Sequence, residues 1–215
     1  MLITGAIFDM DGTLLDSMPV WDRLGADYLA SLGLRARSDL PEKLLAMSMR
    51  QAAVYFRSDY GLTLSEEEIV RGLNGRIEAF YRDIVPVKEG VADFLQALRQ
   101  KNVKLCVATA TDRHLAEAAL RRTGLLGSFS FLLTCSETQA KDRPDIFLAA
   151  QERLGTPKEE TMVFEDALHA VQTAKQAGFP VTAVYDASSA ADQAQIQSLA
   201  DYYLYSFSEA EGLLL

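Results

Sequence analysis

Beyond Pro86 the sequence alternates between helical patterns and short apolar runs, and that alternation admits few folds. A helical pattern near Val91 to Gln100 leads into VKLCVAT, residues 103–109. A helix from about Asp112 to Thr123 follows, closed by Gly124, and then the weaker run FSFLLTC, residues 129–135. A helix from Pro144 to Leu154, with Gly155 behind it, precedes TMVFED, residues 161–166. A further helix ends at Gly178, ahead of VTAVY (181–185) and a short YYLY (202–205). Short apolar runs bounded by polar residues read as buried strands. Strands alternating with helices imply a parallel sheet with helices on both faces, whose ligands lie beyond the carboxyl ends of the strands.

The N-terminus adds one more strand, Ile3 to Phe8, which runs into DMDGT, residues 9–13. Residues two apart on a strand share a side, so Asp9 and Asp11 are expected to project together while Met10 points away. Two such carboxylates raise each other's proton affinity unless a cation lies between them. The stretch therefore asks for a metal, or for chemistry that uses both acids. An Asp-Gly turn is the plainer alternative. A calcium loop needs further oxygen ligands and a closing Glu, where Thr13, Leu14 and Leu15 follow instead.

Between these segments the pattern is helical throughout. Ser17 is placed to cap a helix with Trp21, Leu24, Tyr28, Leu29 and Leu32 on one face, ending near Gly33. LPEKLLAMSMRQAAVYFRSDYG continues to Gly61 with a break expected near Ser48. Ser65 with Glu68 forms a capping box for a helix carrying Ile69, Leu73, Ile77, Phe80 and Ile84. With no strand among them, these helices form a separate unit.

Composition narrows the partners. A net charge of −9 over 215 residues disfavours nucleic acid and anionic membranes, and no apolar segment approaches the length of a membrane span. The two cysteines, Cys106 and Cys135, have no metal-ligand spacing and fit a reduced, cytoplasmic setting, as does an N-terminus without a signal peptide.

Four strand ends then carry the polar residues. The first gives Asp9 and Asp11, the second Thr109, Ala110 and Thr111, the third is followed by Lys141, and the fourth gives Glu165 and Asp166. A hydroxyl beside a helix N-terminus receives an anion, and Lys141 adds positive charge. The carboxylates suit a hard divalent cation, and magnesium best, because it accepts a few carboxylates together with waters and phosphate oxygens.

In this order and at these strand ends the motifs resemble the haloacid dehalogenase-like superfamily of phosphotransferases, over nearly the whole chain. DMDGT matches the first motif, Thr109 the second, Lys141 ahead of Pro144 and Asp145 the third, and Glu165–Asp166 the fourth. The resemblance implies a Rossmann-like α/β core, residues 1–14 and 87–215, with an inserted all-helical cap, residues 15–86. It also implies an enzyme that cleaves a small soluble phosphate ester and acts as a monomer. Asp9 would be the nucleophile that becomes an aspartyl-phosphate, and Asp11 the general acid and then base. Thr109 and Ala110 would hold the phosphoryl oxygens, and Lys141 would steady both the phosphate and Asp9. Magnesium would be bound by Asp9, Asp166, the Asp11 carbonyl, and Glu165 directly or through water. Arg50, in the cap, is the candidate for a charged substrate contact.

Two positions depart from the family pattern. Asp142 stands where Pro usually follows the lysine, followed by Arg143, and it is placed to offset part of the Lys141 charge. Ala170 replaces a frequent Gly. The alternative enzyme is a phosphomutase resembling β-phosphoglucomutase. That subgroup carries a His at the cap hinge where this chain has Trp21, and a cap Lys with no match here. Receiver-like phospho-accepting modules combine similar residues without DGT or a helical cap, and the dehalogenase branch lacks the second aspartate. His114 and His169, near the starts of helices that follow strands, read as solvated or capping residues rather than substrate contacts, and nothing near Cys135 marks a base for it.

Overall fold

The computed structural model describes residues 2–44, 47, 49–138 and 140–214. These fall into two compact units, Met18–Ile84, and Met1–Ser17 with Val85–Leu215. Ser48, where a break was expected, lies outside the described residues.

The first of these units contains four helices, α1 (Met18–Ser31), α2 (Leu40–Leu44), α3 (Met49–Tyr60) and α4 (Glu66–Asp83). Leu24, Tyr28 and Leu29 of α1, Phe56 of α3, and Ile69, Leu73 and Ile77 of α4 are buried, and the Tyr28 and Phe56 rings stack 5.9 Å apart. The capping box at Ser65 is present, with Glu68 N–H donating to Ser65 Oγ and Ser65 N–H to Glu68 Oε2. Three expected apolar contacts are corrected here. Leu32 lies beyond the end of α1 and is 40% exposed. On α4 the buried stripe advances by steps of four to Tyr81 rather than to Phe80. Ile84 follows the last helical residue with a φ of −126° and is 64% exposed.

The other unit is a six-stranded parallel sheet of β1 (Gly5–Phe8), β2 (Lys104–Thr109), β3 (Phe131–Thr134), β4 (Thr161–Glu165), β5 (Val181–Val184) and β6 (Tyr202–Leu204). Its order is β3-β2-β1-β4-β5-β6. The chain leaves β1 first to one side and later to the other, so β1 lies at the point where the winding reverses, where such sheets take their ligands. Its helices are α5 (Val91–Gln100), α6 (Arg113–Arg122), α7 (Asp145–Leu154), α8 (Leu168–Gln176) and α9 (Gln193–Leu199).

The period of two along a strand separates the two cores. Ile7, Cys106, Val163 and Val181 cluster with Ile146, Phe147 and Ala150 of α7, and with Val171 and Ala174 of α8. Phe8 points the other way. It sits in register with Phe164, and the two rings stack 4.3 Å apart at 8°, edged by Phe94 of α5 and by Phe207. Burying each such side chain contributes about 1.5–3 kcal/mol. These residues hold the β1 and β4 strand ends in fixed register. The helix α9 and the 3₁₀ segments Ala187–Asp192 and Phe207–Leu214 lie outside the elements expected from the sequence.

Around Gly12 the chain folds back on itself. Gly12 N–H donates to the Leu15 carbonyl at 2.9 Å, and Leu15 bridges to Val87 in antiparallel fashion. Asp16 N–H donates to Pro86 O, and Lys88 N–H to Leu14 O, each at 3.0 Å. The stretches before and after Met18–Ile84 are thus joined side by side. Among the described residues no helix is long and apolar enough to cross a membrane.

Candidate active site

The strand ends bring three carboxylates together. Asp9 follows β1, Glu165 closes β4 and Asp166 comes next, and one oxygen from each lies within 4.8 Å of the others. All three side chains are buried. Asp9 is fixed at the backbone by its N–H, which donates to Phe164 O at 2.9 Å and so extends the β1–β4 pairing one residue past the strand. Glu165 Oε2 accepts from the backbone N–H groups of Asp166 and Ala167, at 3.1 and 3.4 Å. Thr13 Oγ1 donates to Asp166 Oδ1 at 2.8 Å.

Lys141 is the cation of this cluster. Its buried ammonium donates to Asp9 Oδ1 and to Glu165 Oε1, the latter at 2.6 Å. Burial opposes the charge on Lys141, but Asp9 and Glu165 outweigh it and raise its proton affinity above that of an ordinary lysine. Burial also pushes the Asp9 pKa up to about 8, helped by Glu165 and Asp11 and opposed by Lys141. Asp166 is raised well above the usual carboxylate range, first by burial and then by Glu165 and Asp9. Three carboxylates share one ammonium, and their mutual repulsion adds to the effect of burial in raising the proton affinity of Asp9 and Asp166. An all-oxygen set with this residual charge fits a hard divalent ion.

Asp11 is placed differently from the expected convergence. β1 ends at Phe8, so the two-residue period no longer orients side chains there, and the chain turns at Gly12 with φ 78°. The Asp11 carboxylate is outside the three-acid cluster. Its Oδ1 accepts from Ser17 Oγ at 2.7 Å and its Oδ2 from Thr111 Oγ1 at 2.6 Å. Both hydroxyls donate to it and fix its orientation. The Ser17 hydroxyl, expected to cap α1, is thereby engaged with Asp11. Gly12 is required here for two reasons: its left-handed φ, and the 2.3 Å that would separate an added Cβ from Asp166 Oδ2.

Thr109 closes β2, fully buried, and its Oγ1 accepts from Thr111 N–H at 3.0 Å. Ala110 follows it and is exposed, ahead of α6. Asp142 and Arg143 are exposed, whereas Lys141 is committed to Asp9 and Glu165; the expected offset by Asp142 is replaced by those two partners. His114 and His169 are exposed at the starts of α6 and α8. Burial raises the pKa of the Cys135 thiol above its ordinary value, which disfavours the thiolate. Arg50 belongs to the helical unit, where its side chain is 81% exposed and pairs with Glu66 at 3.4 Å. It lines a recess of about 680 Å³ with Val70, Arg71 and Asn74.

The partners of these acids are not legible in the sequence: Thr13 and Thr111 lie beside the strand-end motifs and Ser17 heads a helix, but their pairing with Asp166 and Asp11 depends on turns that no periodicity reports.

Comparisons with known proteins show the family to which the chain belongs. The model of the haloacid dehalogenase-like hydrolases matches residues 3–178. Hexitol phosphatase B of Escherichia coli (strain K12) is 30% identical over 179 residues, which cover 81% of this chain and 80% of that protein. (DL)-glycerol-3-phosphatase 2 of Arabidopsis thaliana is 31% identical, over 86% of this chain and 80% of its own length. Among solved structures, that of a putative β-phosphoglucomutase from Thermotoga maritima superposes with a TM-score of 0.85 at 25% identity, covering 99% of this chain and 98% of the other.

Proposed function

We propose that this chain, which belongs to the haloacid dehalogenase-like hydrolase family, is a magnesium-dependent phosphatase that transfers the phosphoryl group of a small phosphomonoester to Asp9 and then to water. The observation that carries the reading is the buried cluster of Asp9, Glu165 and Asp166 with Lys141 bonded to two of its members.

In the first step an Asp9 oxygen attacks phosphorus, the bond from phosphorus to the ester oxygen breaks, and Asp11 supplies the proton that the leaving alkoxide needs. In the second step water attacks the phosphoryl group on Asp9, Asp11 takes the proton from that water, and inorganic phosphate leaves with the Asp9 carboxylate restored. The Ser17 and Thr111 hydroxyls can donate or accept, so they hold Asp11 in both protonation states. Thr109 and the backbone N–H groups ahead of α6 receive the phosphoryl oxygens. Lys141 keeps Asp9 aimed and offsets charge on the phosphoryl group. Magnesium, held by Asp9, Asp166, the Asp11 carbonyl and Glu165, would supply charge neutralisation for the transferring group.

The relatives' names, a hexitol phosphatase and a glycerol-3-phosphatase, favour a phosphorylated polyol or sugar as substrate. The helical unit is read as the cap that selects it, with Arg50 as a substrate contact. A panel of polyol, sugar and nucleoside monophosphates assayed with magnesium tests this directly. Phosphate release from none of them would overturn the phosphatase reading.

Lys141→Met is expected to lower turnover by about 100-fold or more, as loss of one donor to developing charge does elsewhere. Arg143→Met, at an exposed site, is expected to stay within about twofold. A reversal of that ranking in a steady-state assay would move the phosphate-side cation to Arg143.

The T. maritima neighbour makes a mutase the second reading. A mutase must shield its aspartyl-phosphate from water while the substrate reorients. Trp21 at the hinge and the missing cap Lys favour hydrolysis. With β-glucose 1-phosphate and a trace of the bisphosphate, little glucose 6-phosphate is expected. Rapid isomerisation with negligible phosphate release would establish the mutase instead.

A further inference from the structure

We propose that Lys88 is a positioning residue for the metal-binding acids, tying the carboxyl end of β5 to the Gly12 turn; the inference rests on the magnesium reading above. Lys88 lies outside every motif, just after the chain returns from the helical segment. Its ammonium has three protons to donate, and three acceptors receive them. They are the Gly12 carbonyl, the Tyr185 carbonyl at 2.6 Å and Asp186 Oδ2 at 2.8 Å. The Lys88 side chain is 17% exposed and that of Asp186 is 5% exposed, so the pair is largely withdrawn from water.

What the ammonium holds is the turn on which the acids depend. Gly12 lies between Asp11 and Thr13, and Thr13 Oγ1 donates to Asp166. The α-carbon of Gly12 packs so closely on Asp166 that a Cβ would meet Oδ2 at 2.3 Å. A displacement of the Gly12–Thr13 peptide would therefore disturb both the close approach of Gly12 to Asp166 and the Thr13 hydroxyl that donates to it. The Lys88 backbone N–H, bonded to Leu14 O at 3.0 Å, fixes the same turn from its other end. Lys88 also matches the charge of Asp186, which accepts from Ser188 N–H at 2.9 Å and Ser188 Oγ at 2.6 Å. With Lys88 absent, a buried carboxylate near Asp166 would have no cation, and the Gly12 carbonyl would lose its donor.

Groups that orient metal ligands from outside the ligand set are typically worth about 10–100-fold in metal affinity. The test is calorimetric titration of the metal-free protein with Mn²⁺ and Mg²⁺, which does not depend on turnover. Lys88→Met alone strands Asp186, so it is paired with the double variant Lys88→Met/Asp186→Asn, which keeps no unmatched buried charge. Folding is checked by thermal melting. About tenfold or greater weakening of Mn²⁺ binding in the folded double variant is expected, with partial recovery in Lys88→Arg. Affinity within about twofold of the unmodified protein in the folded double variant would overturn the inference. If the unmodified protein binds neither ion, it is the magnesium reading that fails.

Discussion

Asp9→Asn is expected to abolish phosphate release, lowering turnover by about 10⁴-fold or more, because loss of a covalent nucleophile costs several powers of ten. The amide has the shape of the acid, yet its oxygen is a poor nucleophile and its nitrogen cannot accept from Lys141. The variant is also expected to remain folded, and the electrostatics say why. Burial lifts the Asp9 pKa to about 8, so the metal-free native protein holds an extra proton there relative to the unfolded chain. That contribution to stability is complete below the ordinary carboxylate range and is lost as pH rises through about 8. A neutral amide removes this dependence, so the variant should melt at or above the unmodified protein near pH 8. Melting curves separate lost chemistry from lost structure. Retention of more than about a tenth of the rate by a folded Asp9→Asn protein would remove Asp9 from the nucleophile's role.

Chelation is expected to have an effect of similar size. With excess EDTA, turnover should fall to background and return on adding magnesium. Asp166→Ala should raise the half-saturating magnesium concentration by about tenfold or more. The physical basis is the unbalanced charge: Asp9, Glu165 and Asp166 share one ammonium. Binding a divalent ion to this cluster near neutral pH should also release protons, because both Asp9 and Asp166 have raised proton affinity in its absence. Titrations in buffers of different ionisation enthalpy measure that release. Undiminished turnover in excess chelator would falsify the metal role.

The sheet was legible because each strand is a short apolar run ending in a polar residue, and a parallel sheet puts all those ends on one edge. For that reason Asp9, Lys141, Glu165 and Asp166 could be placed together from the sequence, and burial and pairing in the structure agree. The rule failed where regular structure stops. Asp11 was expected beside Asp9 by strand periodicity, but β1 ends at Phe8 and the Gly12 turn sends its carboxylate to Ser17 and Thr111. The α9 helix, the Phe207 contact and the Lys88–Asp186 pair were equally invisible, since each joins segments far apart in sequence without a motif. At the end of α4, Ile84 continues the apolar pattern and its N–H still donates to Phe80 O, but its φ of −126° turns the chain out of the helix, where spacing no longer predicts direction.

The ladder joining Leu14–Asp16 to Pro86–Lys88 bears on how such a chain can change over evolutionary time. Both ends of the Met18–Ile84 excursion leave the sheet unit from adjacent, hydrogen-bonded positions. The entropy of closing that excursion grows only with the logarithm of its length, about 0.6 kcal/mol for each doubling. An inserted segment can therefore lengthen, shorten or exchange its helices at little cost to the unit that carries the acids, provided its two ends return to the same doorway. Under the proposed reading of the helical unit as a cap, substrate preference would then be free to drift while the reaction stays fixed.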